Sequence, residues 1–503
     1  SYSMAGKYGF HEKSQNASPG PAYYPVTPSK YHRHMHKPQR AIFGSTKRSI
    51  IEQPIDQEQW MKRWRPKLHK WKTIDDISTN SPIISRNQPP LTLPQLRRYN
   101  LGGKDDLNSS LGGTFNNYLR PSTKRTSKIV KNEAYIVEAR KNIWKNLSRK
   151  VKRRQMSKVL AKTTAQRAIG QLDYKGFDKV DVVVEAIVEN MSVKKKLIKE
   201  LEGICNEDFI FASNTSSLPL TEMSEDAKKP ENVVGMHYFS PVTKMPLLEI
   251  IKTSKTSNQA IATCYEIGKR QGKTCIVVND APGFYVNRIL CPYLLEALIL
   301  IEEGVRIEQI DRALKNLGMP VGPVALIDEV GIDVGVHVMS GNMTDLIKDR
   351  DGIKLNHSMP KMLEAGLEGR KSKKGFYHYV SKKGKVKKGK VNEGVYQYFD
   401  SPNVKKISDK EITERCILIL LNEAVWALEE GIIENVTDGD IGGVFGIGFL
   451  PWSGGPFSYM NQMGLSNILD RMKHYQNLYG NKFQPRPMLV EMADKNEKFE
   501  LFT

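Results

Sequence analysis

The chain has 503 residues, which is enough for roughly three or four domains of ordinary size. Hydrophobic residues make up 39% and charged residues 26%, proportions typical of a globular protein, and no run approaches the roughly 18 apolar residues of a membrane-spanning helix. The five cysteines include no C-x-x-C pair, which excludes a disulfide framework and a cysteine-based zinc site and favours a reducing compartment.

The net charge of +21 is concentrated at one end of the chain. Residues 1–160 contain 32 Lys and Arg against 10 Asp and Glu, whereas residues 161–503 contain 44 against 45. This asymmetry predicts a basic interaction arm joined to a nearly neutral globular body. We therefore expect the arm and the body to have different partners.

Residues 1–131 show little apolar periodicity and many Pro and Gly residues, which predicts a largely disordered basic arm. Segments 19–25 (PGPAYYP) and 43–48 (FGSTKR) resemble a repeat of the sperm-tail Pro-Gly-rich family, whose members are associated with axonemal microtubules; an ordinary Pro-rich linker is the alternative. The charge of the arm suits an acidic microtubule surface. It would suit nucleic acid too, although that is not the partner we expect. His32, His34 and His36 have no carboxylate or cysteine nearby, and we predict no metal site.

From Asn132 onward, apolar residues recur at the spacings of folded structure. Short apolar runs bounded by polar turns predict strands at 180–184, 209–212, 233–236, 247–251 and 276–278. Helical spacing predicts intervening helices at 191–204 and 258–272. Alternating strands and helices indicate an α/β domain over residues 132–280 with a largely parallel sheet.

After residue 280 the patterns become helical. Helices are predicted at 286–303, 307–317 and 325–339, which gives an all-helical domain over 281–380. Residues 381–410 are predicted to be a Lys/Gly-rich linker, and a helix at 412–430 opens a second all-helical domain over 411–503. Glu296-Ala and Glu302-Glu-Gly are echoed by Glu423-Ala and Glu429-Glu-Gly, which indicates two related domains packed together.

One carboxylate lies inside an apolar strand. Glu249 interrupts the run 247–251, and a buried carboxylate is costly unless something pairs with it. His237 ends the preceding predicted strand, and a chain reversal near 241–243 would bring the two side chains together. Such a pair fixes the imidazole tautomer and is typical of a general acid/base, although each residue alone is more often structural.

Two further polar segments lie where α/β proteins hold ligands. Segment 213–217 (SNTSS) directly follows a predicted strand, and the carboxyl ends of parallel strands are the ligand side of such a sheet; a helix cap is the alternative. Segment 282–288 (PGFYVNR) lies at the domain boundary, where Asn287 could face a substrate in a cleft.

These segments together resemble the L-3-hydroxyacyl-CoA dehydrogenase family. The resemblance is carried by 184–190 (VEAIVEN), 212–217 (ASNTSS), 235–241 (GMHYFSP), 280–288 (DAPGFYVNR) and 369–377 (GRKSKKGFY). Segments 439–448 (GDIGGVFGIG) and 454–457 (GGPF) narrow it to α-subunits of the mitochondrial trifunctional β-oxidation enzyme. The resemblance implies an α/β fold with a truncated Rossmann-like doubly wound sheet, NAD as cofactor, an acyl-CoA substrate, and a homo-oligomer or a thiolase-type β-subunit as partner.

The resemblance also implies roles for single residues. His237 matches the base that takes the hydroxyl proton as hydride leaves for nicotinamide, and Glu249 matches the carboxylate that orients it. Ser216 and Asn287 match polar groups beside the substrate and the nicotinamide. The NAD contacts would come from Glu189, Lys194, Ser216, Ser240 and Lys371. Arg153, on a basic helix, would meet coenzyme A phosphate, with a solvated helix face as the alternative.

The chain departs from the family pattern in its first half-domain. Members begin this domain with a strand, a G-x-G-x-x-G turn and a helix, and then a second strand that ends in an acidic residue. None of these is found ahead of Asn132, nor is the hydratase half of the trifunctional α-subunit. Because the first strand occupies the middle of a doubly wound sheet, its loss is expected to expose neighbouring strand edges. Glycines 442, 443, 446 and 448 lie in the last helical domain and are predicted to serve close packing.

Two functions of different classes follow. The first is NAD-dependent oxidation of L-3-hydroxyacyl-CoA in fatty-acid β-oxidation, with weak or absent activity because the glycine turn is missing. The second is a non-enzymatic, microtubule- or axoneme-associated protein that carries a dehydrogenase-like body. A third hypothesis is that the chain is a hybrid that joins two reading frames. The family resemblance predicts a mitochondrial location, and the second function predicts the cytoplasm or axoneme.

Overall fold

The computed structural model describes residues 126–129, 133–339, 343–344, 357–382, 385–399 and 405–500. Residues 1–125 of the basic arm, with its Pro-Gly-rich segments and its three histidines, lie outside the described residues. Within the described residues, no helix is both long and apolar enough to cross a membrane.

The first described unit is a small parallel crossover. Strand β1 (Thr126–Ile129) pairs in parallel with β2 (Ala168–Gln171), and helices α1 (Glu133–Lys152) and α2 (Lys158–Gln166) connect them. Helix α2 begins where the Ser157 hydroxyl accepts a hydrogen bond from the amide of Leu160. Strand β1 lies ahead of Asn132, in the range that the sequence assigned to the arm, because four residues beside charged neighbours give little strand signal.

The main sheet has five strands in the order β3-β4-β5-β6-β7, and only β5 and β6 pair antiparallel. Its strands are β3 (Val182–Glu185), β4 (Ile210–Ser213), β5 (Val233–Tyr238), β6 (Leu247–Lys252) and β7 (Thr274–Asn279). The connecting helices are α3 (Met191–Glu202), α4 (Leu220–Ser224) and α5 (Asn258–Arg270). The predicted α/β fold with a largely parallel sheet is confirmed.

The two faces of this sheet pack against different partners, because successive side chains in a strand point to opposite faces. In β6, Leu247 and Ile251 join the core shared with the helical domains, whereas Leu248 and Ile250 belong to a second core that includes Ile261 of α5. The strands therefore carry apolar side chains on both faces, as the nearly continuous apolar runs in the sequence indicated.

The sheet is interrupted beside β3. Among the described residues, β1 and β2 form a sheet of their own, and β3 is an edge of the five-stranded sheet. Of the fourteen large hydrophobic side chains that are exposed in the described part of the chain, nine lie on this side, within residues 133–193. This matches the expectation that a missing central strand exposes its neighbours.

The first helical domain begins after β7. It contains α6 (Val286–Glu302), α7 (Ile307–Leu317), α8 (Pro323–Val330), α9 (Ile332–Met339) and α10 (Ser358–Glu364). The single helix predicted at 325–339 is two helices, because Gly331 has φ +110° and ends α8.

The predicted linker is partly ordered, contrary to expectation. Strands β8 (Tyr377–Lys382) and β9 (Lys385–Val391) form an antiparallel hairpin, followed by a short 3₁₀ helix at Glu393–Tyr398. Lys and Gly residues are uncommon in strands, so the sequence pattern did not predict the hairpin. The buried side chains of Tyr377, Tyr379 and Val391 hold it on the helical domain.

The second helical domain packs on the first. It contains α11 (Asp409–Glu429), α12 (Val436–Gly442), α13 (Pro456–Met463), α14 (Leu465–Tyr479) and α15 (Pro487–Asp494). A Cβ atom at Gly442 would meet the Tyr285 ring, and one at Gly446 would meet Val286 and Leu247. The glycines of this segment therefore serve close packing, as predicted.

The repeat in the sequence becomes a reciprocal pair of buried ion-pair clusters. Arg288 of α6 contacts Glu423 and Glu430, each at 2.7 Å. Arg415 of α11 contacts Glu296 at 2.6 Å and Glu303 at 2.7 Å. Each arginine thus binds the repeat-related pair of glutamates on the opposite helix, which locks α6 and α11 together.

This arrangement predicts a large stability effect for one substitution. Arg415→Met is expected to lower the free energy of unfolding by about 3 kcal/mol, because buried Glu296 then keeps only Lys482 as a cation and Glu303 keeps only Lys405. Arg471→Met, at a half-exposed ion pair with Glu414, should cost about 1 kcal/mol or less. Urea denaturation of both variants measures this, and equal losses would contradict it.

Two buried aspartates of α12 predict a pH dependence. Burial raises the pKa of Asp438 and of Asp440 to about 7, although hydrogen bonds from Asn435 and Ser458 oppose the shift. Between about pH 4 and 7 the folded state retains protons that the unfolded state has lost, so these groups make the free energy of unfolding fall as pH rises.

Asp440→Asn is therefore expected to make stability less dependent on pH over this window, because asparagine does not titrate. Melting temperatures at a series of pH values measure the slope. The exposed Asp470 supplies the control, since Asp470→Asn should leave the slope unchanged. An unchanged slope in Asp440→Asn would refute the assignment.

Candidate active site

The predicted histidine–carboxylate pair is formed. Because β5 and β6 run antiparallel, His237 lies directly opposite Glu249, and its Nδ1 is 2.7 Å from Glu249 Oε2. Glu249 is 0% exposed and His237 is buried as well. A carboxylate accepts hydrogen bonds, so Nδ1 carries the proton and Nε2 is left as the basic nitrogen.

The other carboxylate oxygen of Glu249 contacts the start of the first helical domain. Oε1 accepts hydrogen bonds from the amides of Tyr285, at 3.3 Å, and Val286, at 3.0 Å, where α6 begins. The turn before α6 places Gly283 and Phe284 at positive φ and packs the Phe284 ring 5.6 Å from the His237 ring. The start of the helical domain therefore helps to compensate the buried carboxylate charge.

The loop after β4 is held by Glu189. Its Oε1 accepts hydrogen bonds from the Thr215 hydroxyl at 2.6 Å and from the Ser216 amide at 3.0 Å. Burial alone would raise the pKa of Glu189, but nearby Lys194 and these hydrogen bonds lower it below its ordinary value. Glu189 is thus an anionic anchor for the loop.

A buried lysine lies beneath this anchor. Lys194 is 1% exposed, and its Nζ is 2.6 Å from Glu185 Oε1 and 3.3 Å from Glu189 Oε2. Glu185 also accepts a hydrogen bond from the Ser213 hydroxyl. Two carboxylates and one ammonium group thereby join the ends of β3 and β4 to the first turn of α3.

Asn287 reaches the same loop from the helical domain. Its Nδ2 donates a hydrogen bond of 3.3 Å to the Ser216 carbonyl. The Asn214 side chain accepts a hydrogen bond of 2.9 Å from the Tyr238 amide, directly after His237. His237, Glu249, Ser216 and Asn287 therefore belong to one connected group at the boundary between the sheet and the first helical domain.

Family models match both halves of this arrangement. The model for the NAD binding domain of 3-hydroxyacyl-CoA dehydrogenase matches residues 125–281, and the model for the C-terminal domain of 3-hydroxyacyl-CoA dehydrogenase matches residues 283–379. The chain belongs to the 3-hydroxyacyl-CoA dehydrogenase family. The predicted family and its NAD cofactor are confirmed.

Curated relatives agree with this assignment. The fatty acid oxidation complex subunit alpha of Shewanella frigidimarina is 46% identical over 359 residues, which cover 71% of this chain and 49% of that protein. The subunit of the same name from Vibrio vulnificus is 42% identical over 364 residues, 72% of this chain and 50% of that protein. The chain thus spans about half the length of these relatives.

Solved structures share the fold. The 3-hydroxybutyryl-CoA dehydrogenase of Escherichia coli superposes with a TM-score of 0.64 at 23% identity, covering 74% of this chain and 93% of that one. The dehydrogenase part of multifunctional enzyme 1 from C. elegans gives a TM-score of 0.52 at 29% identity, covering 73% and 83%. The first of these likenesses concerns the fold alone.

The described residues offer room for part of a dinucleotide. The carboxyl ends of β4 and β5, with Ser216 and His237, form the edge at which α/β sheets hold ligands. The described residues include no glycine-rich turn between a strand and a helix that could hold the pyrophosphate. Among them, no cluster of metal-binding side chains is found either.

The remaining predicted site residues do not join the group around His237 and Glu249. Ser240 is exposed just after β5, at the cis peptide bond to Pro241. Lys371 is exposed and forms an ion pair with Asp333, and Arg153 is exposed just after α1. Lys194 is enclosed by carboxylates, so its geometry is that of a support for the loop. The cofactor roles predicted for Glu189, Lys194, Ser216, Ser240 and Lys371 and the coenzyme A role of Arg153 stay predictions.

Glu185 and Asn214 were missed as site residues. Both lie inside segments that carry the family resemblance, but no role was assigned to them. The signal for Glu185 was the same as for Glu249, namely a carboxylate directly at the end of an apolar strand. Asn214 gave no separate signal because polar residues after a strand are common.

Lys194→Met is expected to lower the free energy of unfolding by about 3–5 kcal/mol, because it leaves two carboxylates without their cation in a buried place. The neighbouring exposed Lys196 supplies the control, and Lys196→Met should change stability by no more than about 0.5 kcal/mol. Urea denaturation compares the two variants. Similar small losses in both would show that Lys194 is not the anchor of this cluster.

Proposed function

We propose that the site of this chain is built for NAD-dependent oxidation of an L-3-hydroxyacyl-CoA to a 3-oxoacyl-CoA in fatty-acid oxidation. One observation supports this most directly: the buried His237–Glu249 pair lies beside Ser216 and Asn287 at the ligand edge of an NAD-binding domain. The family assignment and the name of the curated relatives agree with this substrate class.

The residues divide the chemistry as follows. His237 Nε2 accepts the proton of the substrate hydroxyl, because Nδ1–H is already donated to Glu249. Glu249 stabilises the imidazolium that results, and its contacts with the α6 amides keep it from turning toward solvent. Ser216 and Asn287 orient the substrate by contacting its hydroxyl oxygen and the part that carries the thioester. NAD, if held at this edge of the sheet beside Ser216, would supply the hydride acceptor for the carbon that carries the hydroxyl.

The same proposal includes weak or absent turnover for this chain. Backbone amides of a glycine-rich turn supply much of the affinity for a pyrophosphate in such domains. The described residues hold the catalytic group but not this turn, and β3 is left as a sheet edge where the missing strand would lie. Cofactor affinity is therefore the step that we expect to fail.

Fluorescence titration of the full-length chain with NADH tests cofactor binding, and addition of acetoacetyl-CoA then tests oxidation of bound NADH. We expect weak or no saturation and little turnover. Robust turnover would refute the inactivity proposal and would mean that another segment completes the dinucleotide site.

His237→Ala separates the chemistry from the binding. Where residual turnover is measurable, this variant should lower it by roughly 10²–10⁴-fold without changing NADH binding, because a general base is removed. The exposed His474 on α14 gives the matched control, and His474→Ala should keep full residual activity. Unchanged turnover in His237→Ala would sink the assigned role of the base.

The charge asymmetry favours a second function in which the arm contacts a microtubule. Its support is the 32 basic against 10 acidic residues in positions 1–160, together with the Pro-Gly-rich resemblance. Co-sedimentation with microtubules that is lost when residues 1–131 are removed would support it. Mitochondrial location and a thiolase-type β-subunit are proposals that rest on the family resemblance alone.

A further inference from the structure

The hairpin β8–β9 and the loop before it carry a separate charge concentration. Residues 370–390 contain ten Lys and Arg and no Asp or Glu. The rest of residues 161–503 holds 34 basic against 45 acidic residues, so this segment opposes the charge of the body to which it is attached. The basic arm does not include it.

The hairpin displays this charge on one face. Cross-strand partners share a face, and Val380 is paired with Lys387 while Lys382 is paired with Lys385. These four side chains point away from the buried face that contains Tyr377 and Tyr379, and all four are exposed. Val380 is 55% exposed in the middle of the lysines.

Neighbouring acids neutralise only part of the segment. Arg370 pairs with Glu329, Lys371 pairs with Asp333, and Lys388 lies 3.6 Å from Asp311. Other lysines of the segment form no ion pair with the described residues: Lys373, Lys374, Lys382, Lys385, Lys387 and Lys390. Their charge is available to a partner.

We propose that this lysine face, formed by Val380, Lys382, Lys385 and Lys387 with Lys373 and Lys374 beside it, binds the phosphate headgroups of an anionic lipid surface. Lysines act as hydrated point charges that suit a diffuse layer of phosphates rather than one fixed bidentate site. An exposed valine among them can enter the interface between headgroups and acyl chains. The proposal is independent of the proposed dehydrogenase activity.

The composition of the face favours a lipid surface over single-stranded nucleic acid. Stacking proteins place exposed Tyr, Phe or Trp rings among their basic residues, whereas both tyrosines of β8 are turned into the core and the smaller His378 is the exposed ring of the described hairpin. The turn at residues 383–384 lies outside the described residues and is no part of the proposed face.

Hydrogen exchange of the full-length chain, followed by mass spectrometry, tests the lysine face locally even though the arm is also basic. Vesicles of phosphatidylcholine mixed with phosphatidylglycerol should protect the peptide that spans residues 377–391, and vesicles of phosphatidylcholine alone should not. The protection should fall as salt is raised. A triple variant carries Lys382→Gln, Lys385→Gln and Lys387→Gln. In this variant the lipid concentration that gives half of the maximal protection should rise at least about tenfold.

A matched control removes three exposed lysines elsewhere on the body, by Lys315→Gln, Lys473→Gln, Lys498→Gln. This variant should keep the protection of residues 377–391. Absence of protection in the unmodified chain, an equal loss in the control variant, or equal protection by neutral vesicles would each overturn the proposal. Protection by inorganic phosphate alone, or stronger protection by single-stranded RNA than by vesicles, would overturn it in favour of those ligands.

Discussion

The Glu249 carboxylate is shared between the two domains that form the site. Its Oε2 holds His237 in the tautomer that leaves Nε2 basic, and its Oε1 receives the first amides of α6. A fully buried carboxylate is tolerated only when such partners replace its lost hydration. The carboxylate that orients His237 therefore also docks the helical domain, so moving α6 would disturb the imidazole even without a change in the sheet.

The second helical domain acts on this site through α6. Arg288 follows Asn287 directly, and its guanidinium is held by Glu423 and Glu430 of the other repeat. The reciprocal cluster at Arg415 fixes the other end of the same helix pair. The backbone amides that donate to Glu249 and the Asn287 side chain that donates to the Ser216 carbonyl all lie at the start of α6. A stable pairing of α6 with α11 therefore keeps the His237–Glu249 pair and the Ser216 loop in register.

The sequence predicted the parts that depend on strong local patterns. The apolar runs located all five strands of the main sheet, and the carboxylate within one run predicted the pair with His237. The hairpin could not be predicted because its strand-forming residues are few among lysines, and its stability comes from tyrosines buried by distant helices. The burial of Lys194 was missed for a similar reason, since lysine is normally exposed and only the fold shows the two carboxylates that enclose it.

The interruption beside β3 divides the dehydrogenase domain into parts with different consequences for function. The proposed catalytic residues lie on or directly after β4, β5 and β6 and at the start of α6, all on one side of the interruption, where the strands pack against two hydrophobic cores. On the other side, apolar side chains of α1 and α2 stay exposed, and β1 and β3 are not joined. A dinucleotide needs both sides, because the pyrophosphate and adenosine extend away from the nicotinamide across the switch point of the sheet. In the proposed function, proton transfer at His237 and cofactor affinity are therefore physically separable, because the interruption affects the dinucleotide side of the sheet and leaves the His237–Glu249 pair intact.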